Sequence, residues 1–98
     1  MKRSVRTPFF VVNPKSYLYG TGSLELARAA DKLAEEYDVD IFFTAQAVDL
    51  PTIRSGTKHL IITAQHMDGI VPGRGMGRIL PGALTAAGGG AGVLNHAE

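Results

Sequence analysis

Continuous apolar runs recur along this chain at 9–12, 41–45 and 60–64, with a shorter one at 93–94, and helix-patterned sequence lies between them. An apolar run of this length, bounded by turn residues, is the pattern of a strand buried on both faces. Ser23 is placed to cap a helix whose dipole Glu25 suits. Leu26, Ala30, Leu33 and Tyr37 then recur at helical spacing, and Arg28, Asp31, Lys32, Glu35 and Glu36 fill the other faces. Asp49 and Pro51 open a second, short helix that Gly56 ends. Pro81 fits the first turn of a third, which runs to about Ala87. The alternation of strand and helix dictates βαβ units and a parallel sheet. No polar linker divides the chain, so residues 1–98 read as one domain built from a recurring βα unit.

Glycine marks the loops. Of the 12 glycines, Gly69, Gly73, Gly75 and Gly77 crowd the segment after the third run, which reads as a long ordered loop. Gly88, Gly89 and Gly90 follow Ala86 and Ala87 and read as a helix C-cap leading into a strand. Gly73-x-Gly75-x-Gly77 lacks both the P-loop lysine–serine ending and the dinucleotide spacing, so it reads as loop geometry. Arg74 and Arg78 beside it read as surface charges.

Polar side chains fall at one place in each unit. Asn13 and Lys15 follow the first strand, Gln46 the second, Gln65 and His66 the third, Asn95 and His96 the fourth. In a parallel sheet these strand ends share one face. A (β/α) barrel builds its active site there, and an open doubly wound sheet also places ligands there.

Composition narrows the classes. A net charge of +1 gives no electrostatic footprint for nucleic acid. With no cysteine there is neither a disulfide framework nor a thiolate metal site. His59 and His66 lack ligand spacing and read as structural. The basic N-terminus leads into an apolar run too short for a signal peptide, and no run approaches the roughly 20 residues of a membrane helix. The expected setting is cytoplasmic.

Three segments carry a family resemblance. VVNPKSY resembles the first-strand motif of triosephosphate isomerase. TAQHMDGIVPGRGMGRILPGAL resembles its third strand and loop, and VLNHAE its fourth-strand motif, both in the archaeal style. They stand in the family's order, and the resemblance covers essentially the whole chain. It implies the N-terminal half of a (β/α)8 TIM barrel: four parallel strands with intervening helices, an α/β fold. It also implies roles. Asn13 binds and orients the substrate. Lys15 faces its phosphate and the developing enediolate oxygen. His96 polarises the carbonyl, and Glu98 supports the lysine, with Gln65 a further supporting residue. The family's catalytic base, a glutamate on the sixth βα unit, has no counterpart within these 98 residues, nor do the lid and the phosphate-binding turn. The isolated chain is therefore expected to be inactive. Pro14, Gly75, Met76 and Ala97 depart from the family pattern, and bear on the exact substrate and on dimer contacts.

The chemistry of aldose–ketose isomerisation agrees with these roles. Removing a carbon-bound proton requires a base and stabilisation of an enediolate oxygen. A fixed lysine supplies charge, and a histidine donates a hydrogen bond and shuttles protons. No metal or organic cofactor is required. The partners expected are a small phosphorylated sugar, and either a second copy of the chain (a homo-oligomer) or the missing C-terminal half. Neither nucleic acid nor membrane is expected. Two other functions compete: a paralogue acting on another short sugar phosphate, such as a tetrulose phosphate, and a half-barrel that binds or assembles without catalysis.

Overall fold

The computed structural model describes residues 5–92. Four strands, β1 (Phe9–Val12), β2 (Asp40–Ala45), β3 (Ile61–Ala64) and β4 (Ala91–Gly92), alternate with helices α1 (Gly20–Tyr37), α2 (Leu50–Gly56) and α3 (Pro81–Ala86). A 3-10 turn at Ala47–Asp49 leads into α2. The strands form one sheet in the order β1-β2-β3-β4, every neighbouring pair parallel. This is the α/β fold of an N-terminal half-barrel. The expected strand residues Val93 and Leu94 lie outside the described residues, as do Asn95, His96, Ala97 and Glu98.

Register assigns the two faces of the sheet. Phe43 pairs with Ile62 and Ala45 with Ala64, and these side chains pack under the helices with Leu50, Ile53, Leu60 and Leu84. Phe43, Leu50, Ile53, Leu60 and Ile62 are fully buried, each worth about 1.5–3 kcal/mol relative to exposure. Phe9, Val11, Phe42, Thr44, Ile61 and Thr63 alternate onto the other face. There Phe9 meets Phe42 edge to face, with ring centroids 5.4 Å apart.

Three local expectations are corrected. The first strand is not buried on both faces: Phe9, Phe10 and Val11 are 48%, 52% and 59% exposed. Among the described residues β1 pairs with β2 alone, and α1 packs over β2 rather than β1. Second, α1 starts at Gly20, so Ser23 is a buried residue inside the helix and not its cap, and Glu25 lies beyond the first turn. Third, the helix buries Ser23, Ala27, Ala30 and Ala34, while Leu33 and Tyr37 are exposed. Small residues let the helix axis approach the sheet, and that close approach outweighs the larger apolar side chains on the adjoining face.

The start of α1 is held from a distance. Asp49 stands at the N-cap position of α2, as expected, but makes no side-chain cap bond there: both its carboxylate oxygens accept the N–H of Gly20, each at 3.2 Å. Asp31, on α1, accepts the N–H groups of Lys58 and His59 just before β3, at 3.1 and 2.6 Å. At the same N-terminal end of the sheet, Arg6 donates through its backbone N and its Nη2 to the fully buried Asp40 carboxylate, at 2.7 and 2.8 Å. Its Nη1 reaches Asp38 at 2.7 Å. The carboxylates of Asp40 and then Asp38 hold the Arg6 guanidinium well above its ordinary pKa.

Candidate functional site at the strand ends

The chain turns immediately after β1. Asn13 accepts the N–H of Lys15 on its side-chain oxygen at 2.9 Å, and the N–H of Tyr17 reaches the Pro14 carbonyl at 3.1 Å. An asparagine that bonds the backbone two residues on mimics a backbone turn. Lys15 completes it in the left-handed region, with φ +52. A lysine there is uncommon, and such backbone costs on the order of 1–3 kcal/mol unless its surroundings fix it.

Those surroundings include Gln65. Its backbone N–H continues the ladder to the Ala45 carbonyl at 3.0 Å, which fixes it at the end of β3 beside β2. From there its side-chain Nε2 donates to the Lys15 carbonyl, spanning the intervening strand. Asn13, Lys15 and Gln65 are thus joined by hydrogen bonds at the C-terminal ends of β1 and β3. Asn13 and Lys15 are exposed and Gln65 is half-buried. Gln46 ends β2 on the same face. His96 and Glu98 were expected to complete this group and lie outside the described residues.

In the glycine-rich loop after β3, Gly73, Gly75 and Gly77 stand at φ +142, +123 and +83. Gly75 sits where L side chains are strained. Met76 at the tip is fully exposed. The loop is closed by Asp68, whose side chain is 13% exposed. Its Oδ2 accepts the Ile79 N–H at 2.7 Å, and its Oδ1 lies 3.1 Å from His66 Nε2 and 3.3 Å from Arg78 Nη1. Arg78 is therefore a surface charge with a structural partner. The Ile79 N–H, then His66 and Arg78, hold the Asp68 carboxyl below its ordinary range against a smaller opposing effect of burial. Sequence reasoning passed over Asp68. The Asp68–Gly69 pair marks a turn, but nothing local points to a partner eleven residues on.

Elsewhere, a shallow groove between α1 and α2, lined by Leu24, Arg28, Pro51, Thr52, Ser55 and Gly56, shares no residue with the strand-end group. Among the described residues no three histidine, aspartate or glutamate side chains converge as metal ligands. None of the described helices is long and apolar enough to cross a membrane.

The family model for triosephosphate isomerase matches residues 8–98. The chain belongs to the triosephosphate isomerase family. It is 38% identical over 96 residues to the triosephosphate isomerase of Methanobrevibacter smithii, an alignment covering 96% of this chain and 43% of that protein. The Methanosarcina barkeri enzyme is 36% identical over 93 residues, covering 93% and 41%. The Sulfolobus acidocaldarius enzyme is 32% identical over 96 residues, covering 96% and 41%. The chain thus spans about two-fifths of the length of the triosephosphate isomerases it matches.

Proposed function

We propose that this chain contributes the first half of an isomerase site that interconverts glyceraldehyde 3-phosphate and dihydroxyacetone phosphate. The observation that carries the reading is the hydrogen-bonded group of Asn13, Lys15 and Gln65 at the strand ends of a family member. Lys15 brings positive charge to the substrate phosphate and to the oxygen that becomes anionic when the carbon-bound proton leaves. Asn13 fixes the Lys15 backbone and offers an amide to the substrate. His96 donates a hydrogen bond to the carbonyl oxygen and passes protons between the two oxygens of the enediolate, and Glu98 supports Lys15. The proton removed from one carbon returns to its neighbour, so no redox partner or cofactor enters the balance. The base belongs to the sixth βα unit of the family's barrel, so catalysis takes place in the complete protein.

The half-exposed Phe9 and Val11 support a partner on the face opposite the helices: the rest of a barrel, or a second copy of the chain. A second functional reading, a different short sugar phosphate, is favoured by Gly75 and the exposed Met76 in the third loop. A coupled assay of the complete protein on triose and tetrulose phosphates separates the readings. Turnover of the triose phosphate that Lys15→Met lowers by orders of magnitude, leaving a measurable residue, is expected. Preference for the four-carbon substrate selects the second reading, and turnover that Lys15→Met leaves near normal overturns both.

A further inference from the structure

The mechanism leaves unexplained how an exposed lysine is held in a left-handed backbone conformation. Among the described residues, hydrogen bonds act on the Lys15 backbone at each end of the residue. Asn13 takes its N–H from within the same turn. Gln65 takes its carbonyl oxygen from a different βα unit, fifty residues on. The Asn13 contact is local and moves with the turn. The Gln65 contact is anchored, because the Gln65 main chain is itself bonded to Ala45 on β2. The turn after β1 is thereby referenced to β3, across the central strand.

We propose that Gln65 is a positioning residue for Lys15. Its amide clamps the Lys15 carbonyl, and this fixes the direction in which the ammonium leaves the strand-end face. The inference rests on the isomerase reading for what Lys15 does, and on the hydrogen bond alone for how Lys15 is held. Glutamine suits the task because its side chain reaches across a strand and supplies a neutral donor. A lysine or arginine in its place would put a second positive charge beside Lys15, and a carboxylate offers no donor at neutral pH.

The test is a double-mutant cycle in the complete protein. Gln65→Met keeps the length of the side chain and removes the donor. Gln65→Glu serves as a second variant of the same size should Gln65→Met fail to fold, as judged by circular dichroism. In the Lys15 background, the Gln65 variant is expected to lose about tenfold to a hundredfold in kcat/KM, shared between kcat and KM as for a displaced charge. In the Lys15→Met background the same change is expected to alter kcat/KM less than about twofold, because the group it positions is gone. An equal loss in both backgrounds, or no loss in the first, overturns the proposal. Calorimetric binding of glycerol 3-phosphate, which cannot be isomerised, repeats the cycle without chemistry. A wild-type protein that binds this probe but does not isomerise sinks the functional reading, and the binding cycle then decides the role of Gln65 by the same criterion. A wild-type protein that does neither sinks both.

Discussion

Asp68 and Ile79 exchange two hydrogen bonds of 2.7 Å: the Asp68 N–H donates to the Ile79 carbonyl, and the Ile79 N–H donates to the Asp68 carboxylate. Together they close the long loop that follows β3 at its base. His66 and Arg78 add their side chains to the same carboxylate, so one acid gathers donors from both arms of the loop.

This closure should depend on pH in one direction. A carboxyl held below its ordinary range in the fold contributes stability that is complete above its unfolded pKa, about 3.9, and is lost as pH falls through the lower folded value. Limited pepsin cleavage between residues 68 and 79 is expected to stay slow above that range and to accelerate as pH drops below it. Asp68→Asn should be cleaved faster throughout and with a flatter profile. A wild-type profile as flat as the variant's would remove Asp68 as the closing group.

Arg6→Met should cost more stability than its exposed position suggests. Asp40 is fully buried, and the substitution takes away a charged partner. The expected fall in melting temperature is roughly 5–10 °C. Arg6→Lys should recover only part of it, because the guanidinium fork contacts Asp38 and Asp40 together. Asp38→Asn, at a largely exposed side chain, should change little. Equal losses for Arg6→Met and Asp38→Asn would mean that the buried partner is not the one that matters.

Gly88→Ala tests the C-cap of α3. Gly88 has φ +100, and a methyl group there would sit 2.6 Å from Cγ of Arg54. The expected loss is about 1–3 kcal/mol in a urea titration. Truncating the neighbour with Arg54→Ala should relieve the collision and leave about 1 kcal/mol from the backbone. Complete recovery in the double variant would show that the left-handed conformation costs nothing at this position.

Lys15→Met and His96→Gln should damage the complete protein differently. Loss of the lysine is expected to raise KM and lower kcat together, because its charge serves both the bound phosphate and the anionic oxygen. Loss of the histidine should fall chiefly on kcat. Steady-state kinetics with either variant folded and near normal kcat/KM would strip that residue of its role.

The 98-residue chain taken alone should associate. Phe9, Phe10 and Val11 are about half exposed, and among the described residues β1 has a neighbour on one side only. An unpaired strand edge with apolar flanks invites pairing with another chain. Sedimentation at micromolar concentration is expected to give species larger than a monomer, with binding of an apolar dye. A sharp monomer that unfolds cooperatively and leaves the dye unbound would refute this.

The layout of the fold was legible because burial dictates it. The run LIITA at 60–64, buried throughout, reads as a strand, and the polar residues that follow each run identify the strand-end face. The placement of Asn13, Lys15 and Gln65 together at the strand ends was readable from that pattern. Finer features escaped because their causes lie far away in sequence. Ser23 resembles a cap, but the donor at Gly20 finds Asp49 instead. Leu33 and Tyr37 resemble a core stripe, but Ala27, Ala30 and Ala34 allow the closer approach to the sheet. The burial of β1 was overestimated because a strand's neighbours are not written in its own residues.

Three of these distant contacts share a pattern. Asp49 in the second βα unit holds the beginning of α1 in the first, Asp31 on α1 holds the approach to β3, and Arg6 before β1 neutralises Asp40 at the start of β2. The first two units thus carry carboxylates and a cation that other units need. The repeat is regular in outline but is not a set of interchangeable cassettes. Excising one unit, or exchanging it for its counterpart from a relative, would orphan a backbone donor or a buried charge two elements away. A chimaera of this chain would therefore have to move its aspartates together with their distant partners.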